Sequence, residues 1–134
     1  MLFSFTDLLG KKNILFISVD DLKPMFNSYG HQDMITPNID ALAAKGTSFL
    51  NTSTQQAICA PSRASLLTGL YPDNTRVWDL ETQIRDENPN VVTLPQHFKN
   101  NGYFSVGLGK IFDNRSVDNN YDEISWSVQF LQGL

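Results

Sequence analysis

The apolar residues of this chain fall into runs of two kinds. Asn13-Ile14-Leu15-Phe16-Ile17-Ser18-Val19 is almost unbroken and stops abruptly at Asp20-Asp21. A half-exposed strand would alternate apolar and polar positions, so an unbroken run predicts a parallel strand covered on both faces. Tyr103-Phe104-Ser105-Val106-Gly107-Leu108, closed by Gly109-Lys110, predicts a second core strand, and a shorter one is expected near 47–50.

Between these runs the apolar positions recur at helical spacing. The segment 36–46 reads as a complete helix, with Thr36 as N-cap, Pro37 in the first turn, Ile39, Leu42 and Ala43 on one face, and Gly46 beyond the last turn. Residues 62–68 predict a short helix stopped by Gly69, with Cys59 just before it, and 93–101 predict a third ending at Gly102. The stretch 71–89 carries Pro72, Asp73, Asn74, Asp86, Asn88 and Pro89 and reads mainly as loop. Beyond Asp113 the periodicity weakens, and 118–134 carries no assignment. Strands alternating with helices predict an α/β fold, a mainly parallel sheet flanked by helices. Ligands in such folds bind at the carboxyl ends of strands, where Asp20-Asp21 and Gly109-Lys110 fall.

Composition narrows the functional classes. With 134 residues, 41% hydrophobic and 18% charged, the chain is expected to hold one domain or part of one, and no repeat or linker divides it. The net charge of −4 and the absence of basic runs interleaved with aromatics argue against nucleic acid as a partner. No apolar stretch approaches the roughly 20 residues needed to cross a bilayer, so no membrane span is expected. Met1-Leu2-Phe3-Ser4-Phe5 is apolar, but Asp7 interrupts it and no basic residue precedes it, so it does not read as a secretory signal. The single Cys59 excludes an internal disulfide, and its ordinary role would be that of a small buried hydrophobe.

The surroundings of Cys59 point elsewhere. Cys59-x-Pro61-Ser62-Arg63, extended to Thr68-Gly69, resembles the sulfatase signature C-x-P-S-R-x-x-x-x-T-G at every fixed position. The resemblance implies an alkaline-phosphatase-like sulfatase domain, of which this chain would be the amino-terminal part over about 12–115. It implies that a maturation enzyme converts Cys59 to formylglycine, an aldehyde. Its hydrate offers one hydroxyl to attack sulfur and a second to expel sulfate afterwards. A residue at a helix amino terminus also faces free N–H groups and the positive end of the helix dipole, which suits sulfate oxygens. A cysteine phosphatase loop, C-x5-R, would need arginine at position 65, which is Ser65.

Asp20-Asp21 resembles the family's first metal-binding pair. Alone, two adjacent aspartates are more often a solvated turn; with the cysteine motif following, they are expected to hold Ca2+, with Mg2+ as the alternative, together with residue 59. Gly102-Tyr103-x-x-x-x-Gly107-x-Gly109-Lys110 resembles the second family signature, whose lysine contacts sulfate. Arg63 is placed by the resemblance beside the formylglycine and the metal, so that Arg63 and Lys110 would neutralise the transferring group.

Thr36-Pro37-Asn38-Ile39-Asp40-x-Leu42-Ala43-x-x-Gly46 is similar to a structural segment of most sulfatases. Arg76-Val77-Trp78-Asp79, Leu94-Pro95-Gln96-His97-Phe98 and Gly109-Lys110-Ile111-Phe112 are more similar to the iduronate-2-sulfatase branch. In that branch a histidine commonly stands three positions after the lysine; here the position is Asp113. Neither His31 nor His97 is a natural replacement. The expected activity is hydrolysis of sulfate esters of a sugar. A phosphonate or phosphate ester hydrolase of the same superfamily is one alternative, and a truncated, non-catalytic product is another, because the family's remaining metal ligands and sulfate contacts come from chain beyond position 134.

Overall fold

The computed structural model describes residues 10–119 and 121–131, which places the apolar Met1–Phe5 stretch outside the described residues. Five helices lie among those residues: α1 (Pro37–Lys45), α2 (Cys59–Thr68), α3 (Pro72–Thr75), α4 (Ile84–Glu87) and α5 (Leu94–Asn100). Single 3-10 turns occur at Asn27–Tyr29 and Glu123–Ser125.

Helix α2 organises the core. Ala60, Ala64 and Leu67 share one face at helical spacing and pack with Val77, Ile84, Phe112, Val117, Trp126 and Phe130. The helix begins at Cys59 rather than 62, with extended Ile58 as its N-cap, because proline is tolerated in a first turn that needs no intrahelical donor. It ends as expected at Gly69, whose φ of 70° lets its N–H reach the Ser65 carbonyl at 2.8 Å. Helix α5 carries a reciprocal capping box between Thr93 and Gln96. The stretch expected to be mainly loop contains α3 and α4, each about one turn long.

The predicted sheet is not formed among the described residues. Residues 13–19 make no strand pairing, and Leu15 and Ile17 are 84% and 73% exposed. A two-sided buried strand needs neighbours on both edges and layers on both faces, and the described residues supply neither. The second predicted strand does find a partner. Ser127 N–H donates to Ser105 at 2.8 Å, Leu131 N–H to Gly107 at 3.1 Å and Gly109 N–H to Leu131 at 3.1 Å, giving one parallel bridge, Leu108 to Leu131. The carboxyl-terminal segment without a sequence assignment therefore packs against 103–109. It also contributes Trp126 and Phe130, and Phe130 stacks on Tyr121 at 4.8 Å. The predicted strand at 47–50 is exposed bend and loop.

The same carboxyl-terminal segment is tied down by a buried polar network. Arg85 of α4 makes a bidentate pair with Asp122, Nε to Oδ1 at 2.6 Å and Nη2 to Oδ2 at 2.9 Å, and also donates to Gln96. Ser125 donates to Asp122 and shares a hydrogen bond with Thr93, so the cap of α5 and the turn at 123–125 are held by one set of contacts. Helix α1 buries none of its residues; Asp40 fastens it to the 27–29 turn by accepting from Ser28 N–H at 3.0 Å and from Asn27 at 3.1 Å.

Candidate active site

Three segments distant in sequence meet at Arg63. Lying one helical turn after Cys59 on α2, it is 7% exposed, and it satisfies its guanidinium with Asp20 Oδ1 at 2.7 Å, Ser18 Oγ at 3.4 Å, the Ile111 carbonyl at 3.0 Å and the Lys110 carbonyl. The planar fork thus ties the end of 13–19 to the end of 103–109. Lys110 completes the junction, its Nζ lying 2.6 Å from Asp20 Oδ2 and 3.5 Å from Cys59 Sγ.

Asp20 therefore gives one oxygen to each cation. Its carboxyl is held below the usual range first by the Lys110 hydrogen bond, then by Arg63, against a smaller opposing effect of desolvation. Lys110 is pushed up, chiefly by its hydrogen bond to Asp20, with the Cys59 sulfur adding to it. Asp21 lies beside Asp20 with φ of 50°, a left-handed conformation that aspartate tolerates better than most residues.

Ligand atoms of Asp20, Asp21 and Cys59 all lie within 4.8 Å of one another. Two carboxylates suit a hard divalent cation. The thiol sulfur does not, but an oxygen in its place would. Cys59 sits at the first position of α2, where the N–H groups of Cys59 and Ala60 have no intrahelical acceptor and the dipole is positive. The five residues singled out in the sequence, Asp20, Asp21, Cys59, Arg63 and Lys110, are thus brought together. His31 is exposed in a turn, and His97 is exposed on α5, edge-on to Phe98.

Two neighbours complete the picture. Ser18 is an arginine acceptor hidden in an apolar run. Asp113, in the histidine position, is 1% exposed and takes both ends of the Arg115 guanidinium, Nε and Nη2 each at 2.8 Å, with Lys110 Nζ at 3.8 Å. Arg115 lowers the Asp113 carboxyl well below neutral pH, so this residue is an ionised acceptor and not a proton donor. Arg115 carries no motif, and its only sequence signal is the Asp-x-Arg-Ser turn in which it sits.

Residues 12–127 match the family model for Sulfatase. The chain belongs to the sulfatase family. It is 45% identical to "Iduronate 2-sulfatase" of Mus musculus and 44% identical to that of Homo sapiens, over 95% of this chain and 22% of each relative. It is 37% identical to "Choline-sulfatase" of Rhizobium meliloti over 76% of this chain and 20% of that protein. The chain therefore spans about a fifth of the length of these curated relatives. Membership bears out the resemblance drawn from the two signatures and the branch-specific segments. It implies the alkaline-phosphatase-like fold, in a family that generally uses formylglycine and a divalent metal. No helix among the described residues is long and apolar enough to cross a membrane.

Proposed function

We propose that this sulfatase chain carries the nucleophile, the first metal ligands, a sulfate-contacting lysine and the arginine that positions it, for a hydrolase acting on a sulfated sugar. The observation that carries the reading is the position of Lys110 Nζ, 3.5 Å from Cys59 Sγ and 2.6 Å from the carboxylate of Asp20. In this reading 13–19 and 103–108 are strands of a parallel sheet whose other members lie elsewhere in the domain, and Asp20-Asp21 and Lys110 stand at their carboxyl ends.

Formylglycine made at Cys59 would supply a hydrated aldehyde, one hydroxyl to attack sulfur and the other to release sulfate. Asp20 and Asp21 would hold the divalent cation, Ca2+ by preference or Mg2+, which draws charge from the sulfate oxygens when bound. The chain's own residues do the rest. Lys110 and the free N–H groups of α2 face the sulfate position and stabilise negative charge there. Arg63 is buried and donates to four protein acceptors, so its work is to fix Asp20 and Lys110 relative to Cys59. Sulfated carbohydrate and a formylglycine-generating enzyme are the expected partners.

Coexpression with such a maturation enzyme, followed by peptide mass spectrometry, should show an aldehyde in place of the Cys59 thiol. Turnover of sulfated disaccharides should exceed that of aryl phosphonates and vanish with Cys59→Ala. A natural-length protein that hydrolyses sulfate esters while Cys59 stays a thiol overturns the mechanism, and preference for the phosphonate overturns the substrate class.

A further inference from the structure

We infer that Arg115 is an additional anion-contacting residue of this site, held beside Lys110 by the buried carboxylate of Asp113, which acts as its positioning residue. This rests on the sulfate-ester reading above and names a residue that neither family signature contains.

The geometry is a shared acceptor. Asp113 Oδ2 takes Arg115 Nη2 at 2.8 Å and lies 3.8 Å from Lys110 Nζ, the group that touches Cys59 Sγ. Both cations therefore converge on one oxygen of one carboxylate. The Asp113 side chain is fully buried, and its backbone is fixed by Ser116 N–H donating to the Asp113 carbonyl at 3.0 Å, so the fork it grips has one orientation.

Arg115 itself is 48% exposed along its side chain. Only Nε and one Nη2 hydrogen are used by Asp113, which leaves the remaining guanidinium donors of this permanently charged group for an incoming anion. Arg63, by contrast, is 7% exposed and donates to four protein acceptors. Beyond the pair with Asp113, the Cys59 sulfur also favours the charged form of Arg115, an independent sign that the guanidinium lies within electrostatic reach of the nucleophile position. A sulfate group seated at residue 59 would carry its charge into the same field.

The test uses the natural-length protein with inorganic sulfate as the probe, titrated calorimetrically and as a competitive inhibitor of turnover. Arg115→Ala should weaken sulfate and raise KM by about tenfold, the scale of one charge-assisted hydrogen bond, with kcat changed far less. Arg115→Lys should recover part of the affinity, and Asp113→Asn should lose part of it with Arg115 intact. Arg115→Gln, equal in polarity and uncharged, replaces alanine should that variant fail to fold. Sulfate affinity and KM unchanged in the charge-removing variant overturn the inference and leave the sulfatase reading standing. A wild-type protein that does not hydrolyse sulfate esters but binds sulfate in an Arg115-dependent way sinks that reading and supports the anion site. A wild-type protein that binds no sulfate overturns the role of Arg115.

Discussion

Lys110 reaches Asp20 across ninety residues of sequence, Nζ to Oδ2 at 2.6 Å, while Arg63 takes the other oxygen of the same carboxylate at 2.7 Å. The first predicted metal ligand is thus pre-neutralised by two cations. Asp20 serves two masters: the cation it would bind and the lysine that would bind sulfate.

That division separates two variants. Asp20→Asn should lose both Ca2+ binding and turnover, because charge and ligand strength fall together. Lys110→Ala should lower kcat on the order of a hundredfold to a thousandfold, the usual scale for one preorganised donor at a reacting group, while Ca2+ binding is kept or tightened. Calcium titration alongside turnover in the natural-length protein checks this. Equal loss of Ca2+ in both variants would make Lys110 a brace for the Asp20 loop and nothing more.

Gly107 is a packing prediction. A Cβ there would meet Phe130 Cε2 at 2.6 Å, and Trp126 Cη2 and Cζ3 at 2.6 and 2.7 Å, all rigid aromatic atoms of the core. Gly107→Ala should destabilise by about 1–3 kcal/mol through overpacking. Asp122→Ala should cost about 3 kcal/mol or more, since it strips a buried partner from Arg85 and Ser125. Urea midpoints of the two variants measure both, and a neutral Gly107→Ala would mean that the 126–131 segment does not pack on 103–109 as described.

Local signals were legible and tertiary ones were not. The stop at Gly69 and the Thr93 start of α5 depend on groups a few residues apart, and both fall where capping chemistry puts them. Helix α2 starts three residues before the expected 62, and it can do so because a first-turn proline removes no helical hydrogen bond. Residues 13–19 have the composition of a buried strand, yet strand formation depends on partners that periodicity cannot name. In the site, Cys59 to Arg63 and Lys110 stood out because their spacing is itself the signal. Arg115 and Ser18 did not, because what matters about them is the distant acceptor or donor they meet.

Asp113 predicts a pH dependence. Its folded carboxyl is depressed below the ordinary value of about 3.9, first by the Arg115 side-chain hydrogen bonds, against desolvation, with the Arg115 N–H and the charges of Arg115 and Lys110 adding. A depressed folded value means that the unfolded chain binds the proton more readily. The contribution is therefore fully present above about pH 4 and is lost as pH falls through the folded value. Asp113→Asn should be less stable than wild type at neutral pH, and the difference should shrink on acidification below about pH 4. Denaturant titrations at a series of pH values read this directly, and a gap independent of pH would remove the ionised pair from the account.

The last prediction concerns the 134-residue stretch produced by itself. Ile14, Leu15, Phe16, Ile17, Phe104 and Leu108 are all more than 40% exposed, and an apolar cleft between the two predicted strands is lined by Ile14, Phe16, Leu67, Phe98, Phe104 and Trp126. None of the candidate site residues lines that cleft, so its exposure serves no chemistry described above. A surface of this kind, beside backbone at 13–19 that has no strand pairing, drives association. A hard cation also takes about six or more oxygen ligands, and Asp20 with Asp21 cannot close that shell. The isolated stretch should elute as aggregate or as a loosely packed species that binds a hydrophobic dye. It should show no turnover on aryl sulfates or sulfated disaccharides with Ca2+ present, even with Cys59 converted. Size-exclusion chromatography and a turnover assay are sufficient. A monodisperse stretch that turns over repeatedly, and loses that activity with Cys59→Ala, would show that Asp20, Asp21, Cys59, Arg63 and Lys110 form a complete catalytic set.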